Sequence, residues 1–120
     1  MEATTAVKRL SALAQEGRLE VFRLLVRAGP DGIAAGDIAR AVSVPANTLS
    51  AQLTILANAG LVRSRREGRS IIYAADYEGM SGLLVYLMED CCQGRPEVCG
   101  PINRAVAEAA CCPTPEGALS

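Results

Sequence analysis

The sequence predicts a mainly α-helical domain with a single β-hairpin, and three observations predict it. Apolar residues recur at spacings of three and four through most of residues 5–90, the repeat of one helix face. That period gives way once, at residues 61–74, to two short strand-like runs around a glycine. At 120 residues the chain is long enough for one compact domain and too short for two comfortable ones.

Taken in order, a first helix is expected over Thr5–Ala14, with Ala6, Leu10 and Leu13 on one stripe. A second runs from about Gly17 to Ala28, with Leu19, Phe22, Leu25 and Val26 inward and Arg18, Arg23 and Arg27 outward. Gly29-Pro30-Asp31-Gly32 stops it. A short helix from Ala35 to Ala41 leads into the turn Ser43-Val44-Pro45, and Pro45 suits the first turn of the helix that follows. Leu49, Leu53 and Leu56 form the apolar stripe of that helix, which ends at Gly60.

Residues 61–66 and 70–74 then read as two strands joined by Glu67-Gly68-Arg69. Asp76 can cap a long last helix from Tyr77 to about Asp90. Its stripe is Met80, Leu83, Leu84 and Leu87, while Gly79 and Gly82 permit close approach of another helix. A short helix over Ile102–Ala110 follows. Residues 1–110 are thus one domain that includes a cysteine segment at 91–99, and residues 111–120 are expected to be a flexible tail.

Composition narrows the function. Half of the residues are apolar but only 3% are aromatic, so the core must be aliphatic. Histidine is absent, which removes imidazole acid/base catalysis, Ser-His-Asp and Cys-His nucleophiles, and imidazole metal ligands. No apolar run approaches the roughly 18 to 20 residues needed to span a membrane, and the N-terminus does not read as a secretory signal. The five cysteines are therefore expected to be reduced thiols in a cytoplasm rather than a disulfide framework. Net charge is −1, but residues 1–75 carry ten basic and six acidic side chains, and residues 76–120 carry two and seven. A polyanion would be met by the basic front, whose cations are all arginine except Lys8.

Two short helices joined by a tight turn, the second followed by a two-stranded ribbon, form a winged helix-turn-helix. The second helix can enter the major groove of DNA and the ribbon can reach the neighbouring backbone or minor groove. With the leucines buried, Asn47, Thr48, Ser50, Gln52 and Thr54 face outward as hydrogen-bonding groups for phosphates and base edges. Gln52 is the longest of them and the candidate base contact. Arg63, Arg65, Arg66 and Arg69 place four cations in seven residues of the ribbon, which predicts salt-dependent affinity. Such arginines can also simply solvate an exposed hairpin; their position after the helix pair favours the DNA role.

The stretch from Leu13 to Asp76 resembles the arsenic-responsive (ArsR/SmtB-type) family of winged-helix metalloregulatory repressors. The resemblance is carried by Gly17-Arg18-Leu19, Phe22-Arg23-Leu24-Leu25, Pro45 to Leu53, Leu56 to Val62 and Arg65 to Tyr73. It implies a homodimeric repressor that binds an inverted repeat and leaves when its inducer binds. It also implies a dimer interface built by the first and last long helices, here Thr5–Ala14 and Tyr77–Asp90. The founding arsenic sensors of the family carry Cys-Val-Cys before the recognition helix, where this chain has Ala34 and Gly36; the zinc sensors use His and Asp on the last helix, and here there is no His. What is left resembles a subgroup whose sensing cysteines lie at the C-terminal end of the last long helix, the pattern matched by Cys91, Cys92 and Cys99.

The residues themselves point the same way. Gly94 and Pro96 loosen the helix end at Cys91-Cys92, and seven residues of return bring Cys99 back toward the pair. Three thiolates without imidazole suit a soft three-coordinate ion, arsenite As(III) or antimonite Sb(III), ahead of cadmium, lead or zinc. Zinc would want a fourth ligand from Asp90, Glu97, Cys111 or Cys112. Buried cysteines can also act as small hydrophobes, which fits one far better than three so crowded. Cys111-Cys112 can hold a second ion, hand ions on, or sit in the tail. No cofactor is required and no enzymatic activity is expected: the thiols close a helix near its negative end beside Glu89 and Asp90, which disfavours nucleophilic chemistry. A repressor switched by oxidation of the same thiols is the alternative signal.

Overall fold

The computed structural model describes residues 1–88. The order of elements is α1 (Ala3–Leu13), α2 (Glu16–Ala28), β1 (Ile33–Ala34), α3 (Ala35–Val42), α4 (Ala46–Asn58), β2 (Val62–Glu67), β3 (Ser70–Ala75) and α5 (Tyr77–Met88). The three strands form one antiparallel sheet in the order β1-β3-β2. Helix-turn-helix α3–α4 followed by the β2–β3 wing is the predicted architecture. The expected helix over Ile102–Ala110 and the tail 111–120 lie outside the described residues. No helix among the described residues is long and apolar enough to cross a membrane.

Val21, Phe22 and Leu25 of α2, Ile38 of α3, and Leu49, Leu53 and Leu56 of α4 are buried together with Leu61, Val62 and Ala75. Each of the larger side chains removed from water contributes about 1.5–3 kcal/mol before chain entropy is counted, so this apolar cluster sets where α4 sits. All three leucines of the predicted α4 stripe belong to it.

The helix ends are chemically explicit. The Gln15 side chain accepts from the Arg18 amide at 2.9 Å and caps α2. At the other end of α4, Gly60 takes φ +81°, its amide bonds the Ala57 carbonyl, and the Leu61 amide bonds the Leu56 carbonyl, a Schellman ending that tolerates little but glycine. Asp76 performs its expected capping role: its Oδ1 accepts from the Gly79 amide at 3.0 Å. In the hairpin, Glu67 pairs with Ser70, leaving a two-residue loop whose first residue, Gly68, has φ +62° as a type II′ turn requires.

Several expectations are corrected. Leu10, Leu19 and Val26, expected inward, are exposed, because Ala12, Val21 and Leu25 occupy the places against the core. Arg18, expected outward, is half-buried and donates to the Ala12 carbonyl at 2.7 Å, satisfying the open C-terminal end of α1. Pro45 precedes α4 as its N-cap rather than standing inside its first turn. The strand β1, two residues long, was not expected; it pairs Ile33 with Tyr73 and Ala34 with Ile72. Of the α1 stripe, Ala6 is buried and Leu13 packs on the core as expected, whereas Ala12 is buried in place of Leu10 and Arg9 turns inward.

Candidate nucleic-acid interface

The outward side of α4 follows from the core: the core takes residues 49, 53 and 56, and most of the residues around them, Ile55 included, face away. Asn47, Thr48, Ser50 and Thr54 are all exposed. Asn47 Oδ1 accepts from the Thr48 amide at 2.9 Å, and the Thr54 hydroxyl donates to the Ser50 carbonyl at 2.9 Å. Thr48 and Ser50 are thus exposed hydroxyl-bearing residues in the first half of the helix.

Gln52 departs from its expected role as the free base contact. It is half-buried, with its Oε1 buried and without a hydrogen-bond partner among the described residues. Its Nε2 fills the space that a side chain on Gly17 would occupy, 2.5 Å from the position of a Cβ there. In this conformation Gln52 packs toward the start of α2 instead of projecting from the helix. A buried acceptor with no partner costs about 1–3 kcal/mol, so the arrangement is not a stabilising one for the amide.

The wing sorts its arginines onto two faces. Directly paired residues in an antiparallel ladder share a face. Arg66 pairs with Ile71 and Ser64 with Tyr73, whereas Arg65 pairs with Ile72 and Arg63 with Ala74. Ile71 and Tyr73 line a cleft of about 210 Å³ with Ala35 and Gly36 of α3 and Ala46 and Ser50 of α4. Arg66 is thus on the side of the wing beside the helix-turn-helix, and Arg69 stands in the hairpin loop. Arg63 and Arg65 line the opposite cleft with Pro30, Ile72 and Ala74.

Their partners differ as well. Arg65 Nε meets Glu67 Oε2 at 2.8 Å and its Nη2 donates to the Asp31 carbonyl at 2.8 Å, tying the wing to the turn after α2. Arg63, Arg66 and Arg69 are exposed and form no ion pair among the described residues. Three of the four predicted arginines are therefore open to a polyanion, with Arg66 on the wing face that shares a cleft with α3 and α4 and Arg69 in the hairpin loop.

Ala34 and Gly36, which the resemblance aligns with the cysteines of the founding arsenic sensors, are the N-cap and the second residue of α3. Among the described residues there is no group of three or more side chains able to hold a metal ion. Cys91, Cys92, Cys99, Cys111 and Cys112 lie outside the described residues, so the expected thiolate site is a matter of sequence alone.

Sequence reasoning missed Arg9. Its Nε donates to the Ala59 carbonyl at the end of α4 at 2.9 Å, and its Nη1 donates to the Gly79 carbonyl in α5 at 2.6 Å. The signal was a cation placed three residues after Ala6 and three before Ala12, on the stripe that faces inward.

Comparison with known proteins adds to this geometry. Residues 13–65 match the family described as Helix-turn-helix domain. The chain is 39% identical over 72 residues to the HTH-type transcriptional regulator NmtR of Mycobacterium tuberculosis, a match covering 60% of this chain and 58% of that protein. It is similar to the homodimeric winged helix-turn-helix DNA-binding domain of a possible ArsR-family transcriptional regulator from Mycobacterium bovis. There the identity is 32% and the TM-score 0.59, over 72% of this chain and 80% of that one. A possible transcriptional regulator for arsenical resistance is 26% identical with a TM-score of 0.60, over 67% of this chain and 80% of that one.

Proposed function

Because the chain belongs to the ArsR family of winged helix-turn-helix transcriptional regulators, we propose that it is a repressor that binds operator DNA as a homodimer and leaves it when trivalent arsenic or antimony binds Cys91, Cys92 and Cys99. The observation that carries the DNA reading is the meeting of α4 and the wing: Ser50 of the helix shares a cleft with Ile71 and Tyr73 on the hairpin face that bears Arg66, Asn47 and Thr48 are exposed in the first turn of the same helix, and Arg69 stands in the hairpin loop. The hydroxyls and amide serve base edges and phosphates, and the arginines serve phosphates. Two copies are needed because one recognition helix reads one half-site. Exposed Val7 and Leu10 of α1 and Leu84 and Val85 of α5 supply the apolar surface for pairing.

The inducer reading rests on three cysteines within nine residues in a chain without histidine. The cysteines follow α5 in the chain, so ligation there can bias the helix that joins the two copies. A coupling of about 1–3 kcal/mol suffices to change operator affinity 5- to 150-fold. The similarity to a possible regulator for arsenical resistance supports this choice of ion. The same thiols could instead answer to oxidation, with Cys99 pairing to Cys91 or Cys92.

The test compares wild-type protein with Cys99→Ser, reduced and bound to DNA from upstream of its own gene. Arsenite is expected to release the wild type at near-stoichiometric dose and to leave Cys99→Ser bound. Equal release of both overturns the three-thiolate site. Release by a disulfide-forming oxidant but by no ion would move the signal to redox.

A further inference from the structure

Arg9 joins three helices through one guanidinium. Its donors reach the Ala59 carbonyl at 2.9 Å and the Gly79 carbonyl at 2.6 Å, so α1 holds the C-terminal end of α4 and the first turn of α5 at once. The group is seated among glycines. A Cβ on Gly60 would stand 3.0 Å from Nη2, one on Gly82 3.5 Å from Nη1, and one on Gly79 would run into the Gly60 carbonyl oxygen. Arg9 makes no ion pair among the described residues, and both carbonyls it meets are backbone. The carbonyl end of α4 carries the negative end of the helix dipole, which favours a cation there.

The apolar core supplies part of this connection. The buried cluster that seats α4 draws on α2, α3, α4 and the strands, and Ala12 and Leu13 of α1 and Met80 of α5 pack with it. The Asp76 amide also donates to the Leu61 carbonyl at 2.8 Å. Arg9 adds the side-chain bonds that reach α4 and α5 together from α1. A guanidinium fork is planar and rigid, so two carbonyls bound to it are held at a fixed separation, which a single ammonium does not do.

We propose that Arg9 is a positioning residue that locks the recognition helix α4 to the α1–α5 pair, so that the joining of two copies through α1 and α5 sets the separation of their DNA-reading helices. This rests on the DNA-binding dimer proposed above. Arg9 itself touches no DNA in this account. Its loss is expected to leave each reading head intact and to loosen the distance between the two.

The test uses full-length reduced protein and a duplex selected by the wild type from a randomised library, cut down to one half-site or lengthened by one or two base pairs between half-sites. Arg9→Met keeps the apolar stem and removes the donors; Arg9→Lys keeps the charge and loses the fork. For wild type, the intact site should be strongly preferred and a one-pair insertion strongly rejected. Both variants should keep half-site affinity within about threefold, lose about tenfold on the intact site, and flatten the penalty for insertion. Light scattering should still show dimers. If Arg9→Met fails to fold, Arg9→Lys decides by its insertion profile. An unchanged profile in a folded variant overturns the role of Arg9, whereas a wild type that enriches no duplex overturns the DNA reading beneath it.

Discussion

The sorting of the wing arginines gives a salt-dependence experiment with a definite magnitude. Arg66 lies on the face beside α3 and α4 and Arg69 in the hairpin loop, and both are exposed. Arg65 is engaged with Glu67 and the Asp31 carbonyl, and Arg63 shares its opposite face. If Arg66 and Arg69 each neutralise one phosphate per protomer, a dimer carries four such contacts. Each contact adds about 0.9 to the slope of log affinity against log salt, so Arg66→Ala or Arg69→Ala should each flatten it by about 1.8. Between 50 and 200 mM salt that difference amounts to about tenfold in relative affinity. Arg63→Ala and Arg65→Ala should change the slope by less than about 0.5. Fluorescence anisotropy on a labelled duplex over that salt range measures it. Equal flattening by all four substitutions would refute the two-face assignment and return the hairpin to an undifferentiated basic patch.

Three further expectations test the frame that holds this site. Gly79→Ala places a methyl into the Gly60 carbonyl oxygen, backbone against backbone, and should cost about 1–3 kcal/mol, read as a fall of several degrees in thermal midpoint; an unchanged midpoint would show that α5 does not cross α4's end so closely. Gln52→Met removes a buried acceptor that lacks a partner among the described residues and should raise stability by about 1 kcal/mol. A clear loss of stability would mean that the amide is satisfied in solution. Val85→Glu, at a position 64% exposed, should leave the fold within about 0.5 kcal/mol of wild type yet yield monomers by light scattering. Intact dimers would remove that part of α5 from the interface.

Which parts of this architecture can be read from the chain follows from how local their causes are. The α4 stripe of Leu49, Leu53 and Leu56, the glycine turn of the wing and the Asp76 cap each depend on residues within a turn or two, and all three are where the sequence predicts them. Leu10, Leu19 and Val26 were misplaced because periodicity reports that a face is apolar, not what covers it. Strand β1 has two residues, too few for any period to show. Arg9 and Arg18 look like ordinary solvated cations until the carbonyls they reach, up to 70 residues away, are brought beside them. Gln52 follows the same logic: its inward turn depends on an absent side chain at Gly17, 35 residues earlier in the chain. The thiolate segment 91–99 lies outside the described residues, and its chemistry rests on residue type and spacing.

The most direct measurement is fluorescence anisotropy of the reduced protein on labelled DNA from upstream of its own gene, titrated in turn with arsenite, antimonite, cadmium and zinc. The expected result is salt-sensitive binding that arsenite or antimonite reverses at close to one ion per protomer. Binding that no ion reverses would contradict the inducer, and no salt-sensitive binding at all would contradict the repressor.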